Sequence, residues 1–164
     1  NSALGPTWAA RFVIIRNEPG ADAHWASGAP EWVGRAAASR RHRYLSCRPH
    51  LSWWWCNVLL FGLRDGRQLA EAVEAVEAMQ RAALCWTRAV GGWSEDVGLY
   101  FNIYGHSTDT SLHLHIVDLC DTGPTFDRLA HALLPLSDVL TVLRAEIAAH
   151  THTHDHDHDH DHDH

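Results

Sequence analysis

Two imidazoles stand two residues apart in the stretch 111–119, which reads SLHLHIVDL. In a strand, alternate side chains share a face. Ser111, His113 and His115 then point one way, and Leu112, Leu114 and Ile116 point the other way, into a core. Beside the hydroxyl-rich segment 104–110 (YGHSTDT), the imidazoles would form a compact polar surface. Histidine titrates near neutrality, so each can act as general acid, general base or nucleophile. Two other readings stay open on spacing alone. One is a half-exposed strand with two incidental histidines. The other is a metal-binding pair, for which Asp109 and Asp118 are the nearby carboxylates.

The elements that would carry this strand can be read from periodicity. Residues 11–16 (RFVIIR) read as a short strand, closed by the turn residues of 17–20 (NEPG). Residues 21–43 show little periodicity and read as loop or short helix, rich in arginine (Arg35, Arg40, Arg41, Arg43). An apolar centre follows over 44–63, split by Pro49, and its second part, 53–63 (WWWCNVLLFGL), reads as a buried strand. The clearest helix spans 67–90. Leu69, Val73, Val76, Met79, Ala83 and Val90 lie near helical spacing, and Gly91-Gly92 ends it. Residues 97–103 and 112–119 read as two strands that can pair as a hairpin. Residues 126–134 and 135–149 read as helical. The order suggests one α+β domain over 1–149. Its N-terminal part, to about residue 43, is poorly assigned. The tail 150–164 alternates His with Thr or Asp, cannot bury a core, and is expected to be disordered.

Composition narrows the function classes. The chain has 164 residues, 46% of them hydrophobic, which suffices for one core. Its formal net charge is -7, but five of the twenty acidic residues lie in the tail. The near-neutral body excludes holding long nucleic acid by bulk charge. The four cysteines contain no C-x-x-C pair, which argues against a zinc ribbon or a dense disulfide framework. A reduced, cytoplasmic chain is expected. No apolar run reaches the roughly 18 residues of a membrane span. Because the sequence starts at Asn1, a processed targeting segment stays open.

SLHLHIVDL resembles the signature of the histidine triad (HIT) superfamily, in which His alternates with apolar residues before two closing apolar positions. The preceding order is similar: apolar strand, basic turn, helix, strand, Asn, and a Gly/Ser/Thr loop. The likeness runs from about residue 44 to 119, and the scavenger mRNA decapping branch is the one it suggests. It implies an antiparallel sheet with one long helix packed on it. The implied activity is a nucleotide hydrolase or nucleotidyl transferase that attacks an α-phosphate through histidine, with no cofactor or metal. Aligning Ile116-Val117 with the closing pair makes His113 the nucleophile, puts His115 at the last triad position, and leaves Ser111 in place of the first histidine. A rival alignment makes His115 the nucleophile. The resemblance further implies phosphate-binding roles for Asn102, Ser107, Thr108, Thr110 and Ser111. His106 can protonate a leaving group or simply sit in a surface turn.

The departure at Ser111 keeps a second expectation in view, a catalytically weak nucleotide-binding protein of the same fold. A third is a metal-binding protein acting through the His-rich tail. HIT relatives are commonly dimers. Trp53, Trp54 and Trp55 also present indoles to both faces of a strand, so a homodimer is expected. The triplet could instead stack on a base. The four arginines from Arg35 to Arg43 could steer a polyphosphate, although a solvated face is the default.

Overall fold

The computed structural model describes residues 2–49, 65–103 and 112–156, the last four in backbone only. The segment β1 (Phe12–Arg16) is preceded by a short helix α1 (Gly5–Ala9) and followed by α2 (Pro19–Ala23). Then come β2 (His42–Cys47), the long helix α3 (Gly66–Val90), and the pair β3 (Val97–Asn102) and β4 (His113–Asp118). The chain continues through α4 (Pro124–Leu129) and β5 (Leu133–Pro135) into α5 (Leu136–His156). The strands form an antiparallel sheet in the order β1-β2-β4-β3-β5. The expected α+β class and antiparallel sheet are therefore present. The His-x-His strand lies at the centre, paired on both edges.

One face of the sheet carries the apolar alternation. Leu45 on β2 lies opposite Leu114 on β4 and Ile14 on β1, and Phe12 lies opposite Cys47. Leu45, Leu114 and Ile116 are completely buried. Each such side chain contributes roughly 1.5–3 kcal/mol relative to exposure. Helix α3 covers this face. Its buried residues, from Leu69 through Ala72, Val76, Met79 and Ala83 to Trp86, repeat at three or four residues. The alanines among them let a neighbour approach closely. That neighbour is α5, whose Leu136, Val139, Leu140 and Leu143 join the same core. The expected single long helix is thus accompanied by a second. The Asp65 side chain accepts a hydrogen bond from Arg67 N–H at 2.9 Å and caps the start of α3. Gly91 ends it at φ +71°, a left-handed conformation suited to glycine.

Three boundaries differ from the sequence reading. Residues 42–43, read with the loop, belong to β2. Residues 126–134, read as one helix, divide into α4, a turn of 3-10 helix and the edge strand β5, which pairs with β3 through Leu133, Leu134 and Pro135. A proline is tolerated there because the sheet edge needs no further amide. The last helix, expected to stop at Ala149, runs to His156. Thr151 Oγ1 donates to the Ile147 carbonyl one turn back, so the first tail residues bond into the helix. The expected strand over 53–63, with its tryptophan triplet, lies outside the described residues, as does the tail beyond 156. No described helix is long and apolar enough to cross a membrane.

The end of β4 is anchored by Asp118, whose side chain is 1% exposed. Its carboxylate accepts hydrogen bonds from Ser94 N–H, Ser94 Oγ and Cys120 N–H. Burial opposes its ionisation. The Ser94 and Cys120 hydrogen bonds and the Arg41 charge overcome this and hold the carboxyl below its usual range. Asp118→Ala removes the acceptor from three donors of partly buried hydrogen bonds, where an unsatisfied buried group costs about 1–3 kcal/mol. The expected loss of several kcal/mol is measurable as a shift of the urea midpoint. An unchanged midpoint would mean that water takes over all three bonds.

Candidate active site

The second face of the sheet is polar and aromatic. By register, Tyr44 lies opposite His115 on one side, and Tyr100 lies opposite it on the other. Ser46 lies opposite His113, and His42 opposite Val117. The alternation expected for β4 holds: Leu114 and Ile116 enter the core, and His113 and His115 take the other face. The expectation of a polar surface does not hold. His113 and His115 are each 8% exposed and His42 is 4% exposed. Helix α4 contributes to this cover by setting Phe126 edge-on to Tyr100, with 6.0 Å between ring centroids.

The three imidazoles form a directed chain. The backbone N–H of Ala38 donates to His42 Nδ1 at 3.1 Å. A backbone amide has no other role, so that nitrogen keeps its lone pair and the neutral ring carries its proton on Nε2. His42 Nε2 lies 3.0 Å from His115 Nδ1 and donates to it. His115 in turn carries its proton on Nε2. That N–H is buried and has no hydrogen-bond partner among the described residues. Burial, assisted by the neighbouring Arg43 charge, pushes His42 down to about 3. Burial, with the nearby His42 and His113 rings, holds His115 well below the usual imidazole range. Both are therefore neutral at physiological pH, as the hydrogen-bond chain requires.

His113 is held from the other side. Asn102 Nδ2 on β3 lies 3.2 Å from His113 Nε2, and an amide nitrogen can only donate, so Nε2 presents its lone pair. The His113 and His115 ring centroids are 5.5 Å apart. Tyr44 packs edge-on against both rings, at 5.9 Å from His113 and 4.8 Å from His115. Burial raises the Tyr44 phenol above its usual value, so it stays protonated. One imidazole thus offers a basic nitrogen, and the other a buried N–H donor, on a single strand.

Of the residues expected at the site, the structure brings Asn102, His113 and His115 together. Ser107, Thr108, Thr110 and Ser111, together with His106, lie outside the described residues. His42 and Tyr44 were missed by the sequence reading. The signal was present in HRYLSC: His42, Tyr44 and Ser46 alternate with Leu45 and Cys47 at the two-residue period of a strand. The arginines expected to be a solvated face divide. Arg35 and Arg40 are exposed, whereas Arg41 and Arg43 are only partly so and pair with Asp118 and Asp22. Among the described residues no group of three His, Cys, Asp or Glu side chains is placed to hold a metal ion. No protein-family model matches the chain, and neither the curated proteins nor the solved structures contain a match to it.

Proposed function

We propose that this chain is a HIT-like nucleotide hydrolase or nucleotidyl transferase, with His113 as nucleophile and His115 as the donor to the reacting phosphoryl group. The observation that carries this reading is the polarity of the imidazole chain. Ala38 and His42 fix the His115 proton on Nε2, so that nitrogen has no lone pair for attack. His113 Nε2 has one. This supports the alignment with His113 at the central triad position over the one that makes His115 the nucleophile.

In the proposed reaction, His113 Nε2 attacks the α-phosphorus of a nucleotide conjugate. An N–P bond forms, the bond to the leaving group breaks with its electron pair as the leaving group takes a proton from solvent, and a nucleotidyl-histidine results; the attacking water later returns that proton. Water then attacks the same phosphorus, and the N–P electron pair returns to the ring. The His115 Nε2–H faces the negative charge that develops on the phosphoryl oxygens. A fixed donor in a buried site is effective there because it needs no reorganisation. Asn102 presents the lone pair and must release it as substrate enters. Ser107, Thr108, Thr110 and Ser111 are the proposed hydroxyl ligands of the phosphate.

A second reading has an observation of its own. The lone pair of His113 is engaged by Asn102, and both imidazoles are buried. Slow turnover by a protein that mainly binds nucleotide fits this arrangement, as does serine at the first triad position. Adenosine 5′-phosphoramidate separates the readings. The enzyme reading expects ammonia and AMP to be released over many turnovers. Binding without release beyond one equivalent favours the second reading, and absence of both rejects the nucleotide site.

A further inference from the structure

On the opposite face of the sheet from the imidazoles lies a cavity of about 510 Å3. It opens beside the C-terminus of α3. Its lining includes three arginines, Arg16, Arg41 and Arg43, and two tryptophans, Trp86 and Trp93, but among the described residues no carboxylate. We propose that this cavity is a second binding site, for a ligand that joins a phosphate to a planar ring, as a mononucleotide does.

The charge argument comes first. Arg16 and Arg43 are direct partners in the β1–β2 register. Like charges directly opposite each other destabilise a sheet. Arg43 is partly offset by Asp22, to which its Nη1 donates at 3.0 and 3.2 Å. Arg41 lies 3.8 Å from Asp118, whose carboxylate is already taken up by Ser94 and Cys120. Among the described residues, the guanidinium groups of Arg16 and Arg41 make no hydrogen bond, and Arg16 makes no ion pair. Several unused N–H donors therefore face one cavity. Their planar forks match phosphate oxygens, and the bound anion would relieve the repulsion between them.

The aromatic argument is independent. Trp86 and Trp93 meet edge to face with centroids 5.6 Å apart, so one indole supports the other beside the arginines. Such a wall is suited to a flat ring, by stacking and by van der Waals contact. The cavity has the volume usual for small-molecule sites. Gly91 lines it at the end of α3, and Gly91 and Gly92 both lie at positive φ. Gly92 lies against the Arg41 guanidinium, where a Cβ would sit 3.7 Å from Nε. Trp86 and Trp93 also pack on the core, so a ligand ring would meet only the indole surface that lines the cavity, while a neutral ring alone would leave the arginines unused.

The test is a titration of the full chain with AMP, read at the indole N–H resonances of Trp86 and Trp93 after assignment by Trp→Phe variants. Adenosine and inorganic phosphate are titrated separately. The expected result is a saturable shift of both indoles with AMP, with adenosine and phosphate each at least tenfold weaker. Arg16→Glu should weaken AMP at least tenfold. It should not lower the melting temperature of the free protein, because it replaces a repelling cross-strand pair by an attracting one. His113→Ala should leave the indole response unchanged. Indoles that do not respond to AMP, or that respond equally in Arg16→Glu, would overturn the second site. So would a response lost in His113→Ala and kept in Arg16→Glu, which would place the nucleotide at the imidazole site and leave the proposed activity standing.

Discussion

His113→Ala is expected to lower the turnover of adenosine 5′-phosphoramidate at least about a thousandfold, the scale on which loss of a nucleophile is felt. Binding should weaken far less, because Asn102, His115 and Tyr44 remain on the same face. The structural cost includes the loss of one buried ring and its bond from Asn102. His115→Ala should also slow the reaction, but by the smaller factor of about 10²–10³ typical of a lost phosphoryl donor. The ordering of the two variants is the informative part. Turnover lost in His115→Ala and kept in His113→Ala would restore the rival alignment. Turnover kept in both would reject histidine catalysis on this strand.

A steep loss of stability in mild acid is the second large effect expected. His42 is pushed down to about 3 and His115 well below the ordinary value of about 6.5, both chiefly by burial. The unfolded chain takes up these protons on falling through about pH 6.5, while the folded chain does not. The stability that depends on the neutral rings is therefore complete above about pH 6.5 and is lost as the pH falls below it. Each ring contributes a slope of about 1.4 kcal/mol per pH unit, so the pair approaches twice that. Between pH 6.5 and 5 the His42 ring alone costs about 1.5–2 kcal/mol and His115 adds in the same direction, against a total stability of about 5–15 kcal/mol for a typical domain. The groups around the rings do not reverse this. The Arg43 charge lowers His42 further, and the Tyr44 phenol, raised by burial, stays neutral. Urea unfolding followed at several pH values measures the slope, and His42→Gln should bring it towards one proton. A urea midpoint that is flat between pH 7.5 and 5 would mean that the rings are not buried as neutral groups.

The parts of this structure that were legible in the sequence are those whose pattern is local. Leu69, Val73, Val76, Met79 and Ala83 lie near helical spacing, and α3 follows them. The strict alternation of Leu112, His113, Leu114, His115 and Ile116 gives both the strand and its two faces. What escaped depends on tertiary partners. The second face of β4 is buried, with His42 and Tyr44 of β2 packed against its rings, so two histidines that alternation alone presents to solvent are enclosed. His42 sits between Arg41 and Arg43, whose charges mask the strand period that begins there. Its meeting with His115 spans 73 residues and depends on the β2–β4 register. β5 is three residues long and ends in proline, too little for any local signal. Its identity as a strand comes from pairing with β3.

The central claim is that His113 becomes covalently bonded to a nucleotide. Rapid acid-free quenching of the protein during turnover of adenosine 5′-phosphoramidate, followed by proteolysis and tandem mass spectrometry, tests it most directly. The expected product is an adenylyl group on the peptide containing residues 112–118, with fragment ions assigning it to His113. An adduct on His115 or His42 would contradict the proton positions deduced from the Ala38–His42–His115 chain. Turnover with no adduct on any histidine, under conditions that preserve the N–P bond, would contradict the nucleophilic mechanism itself.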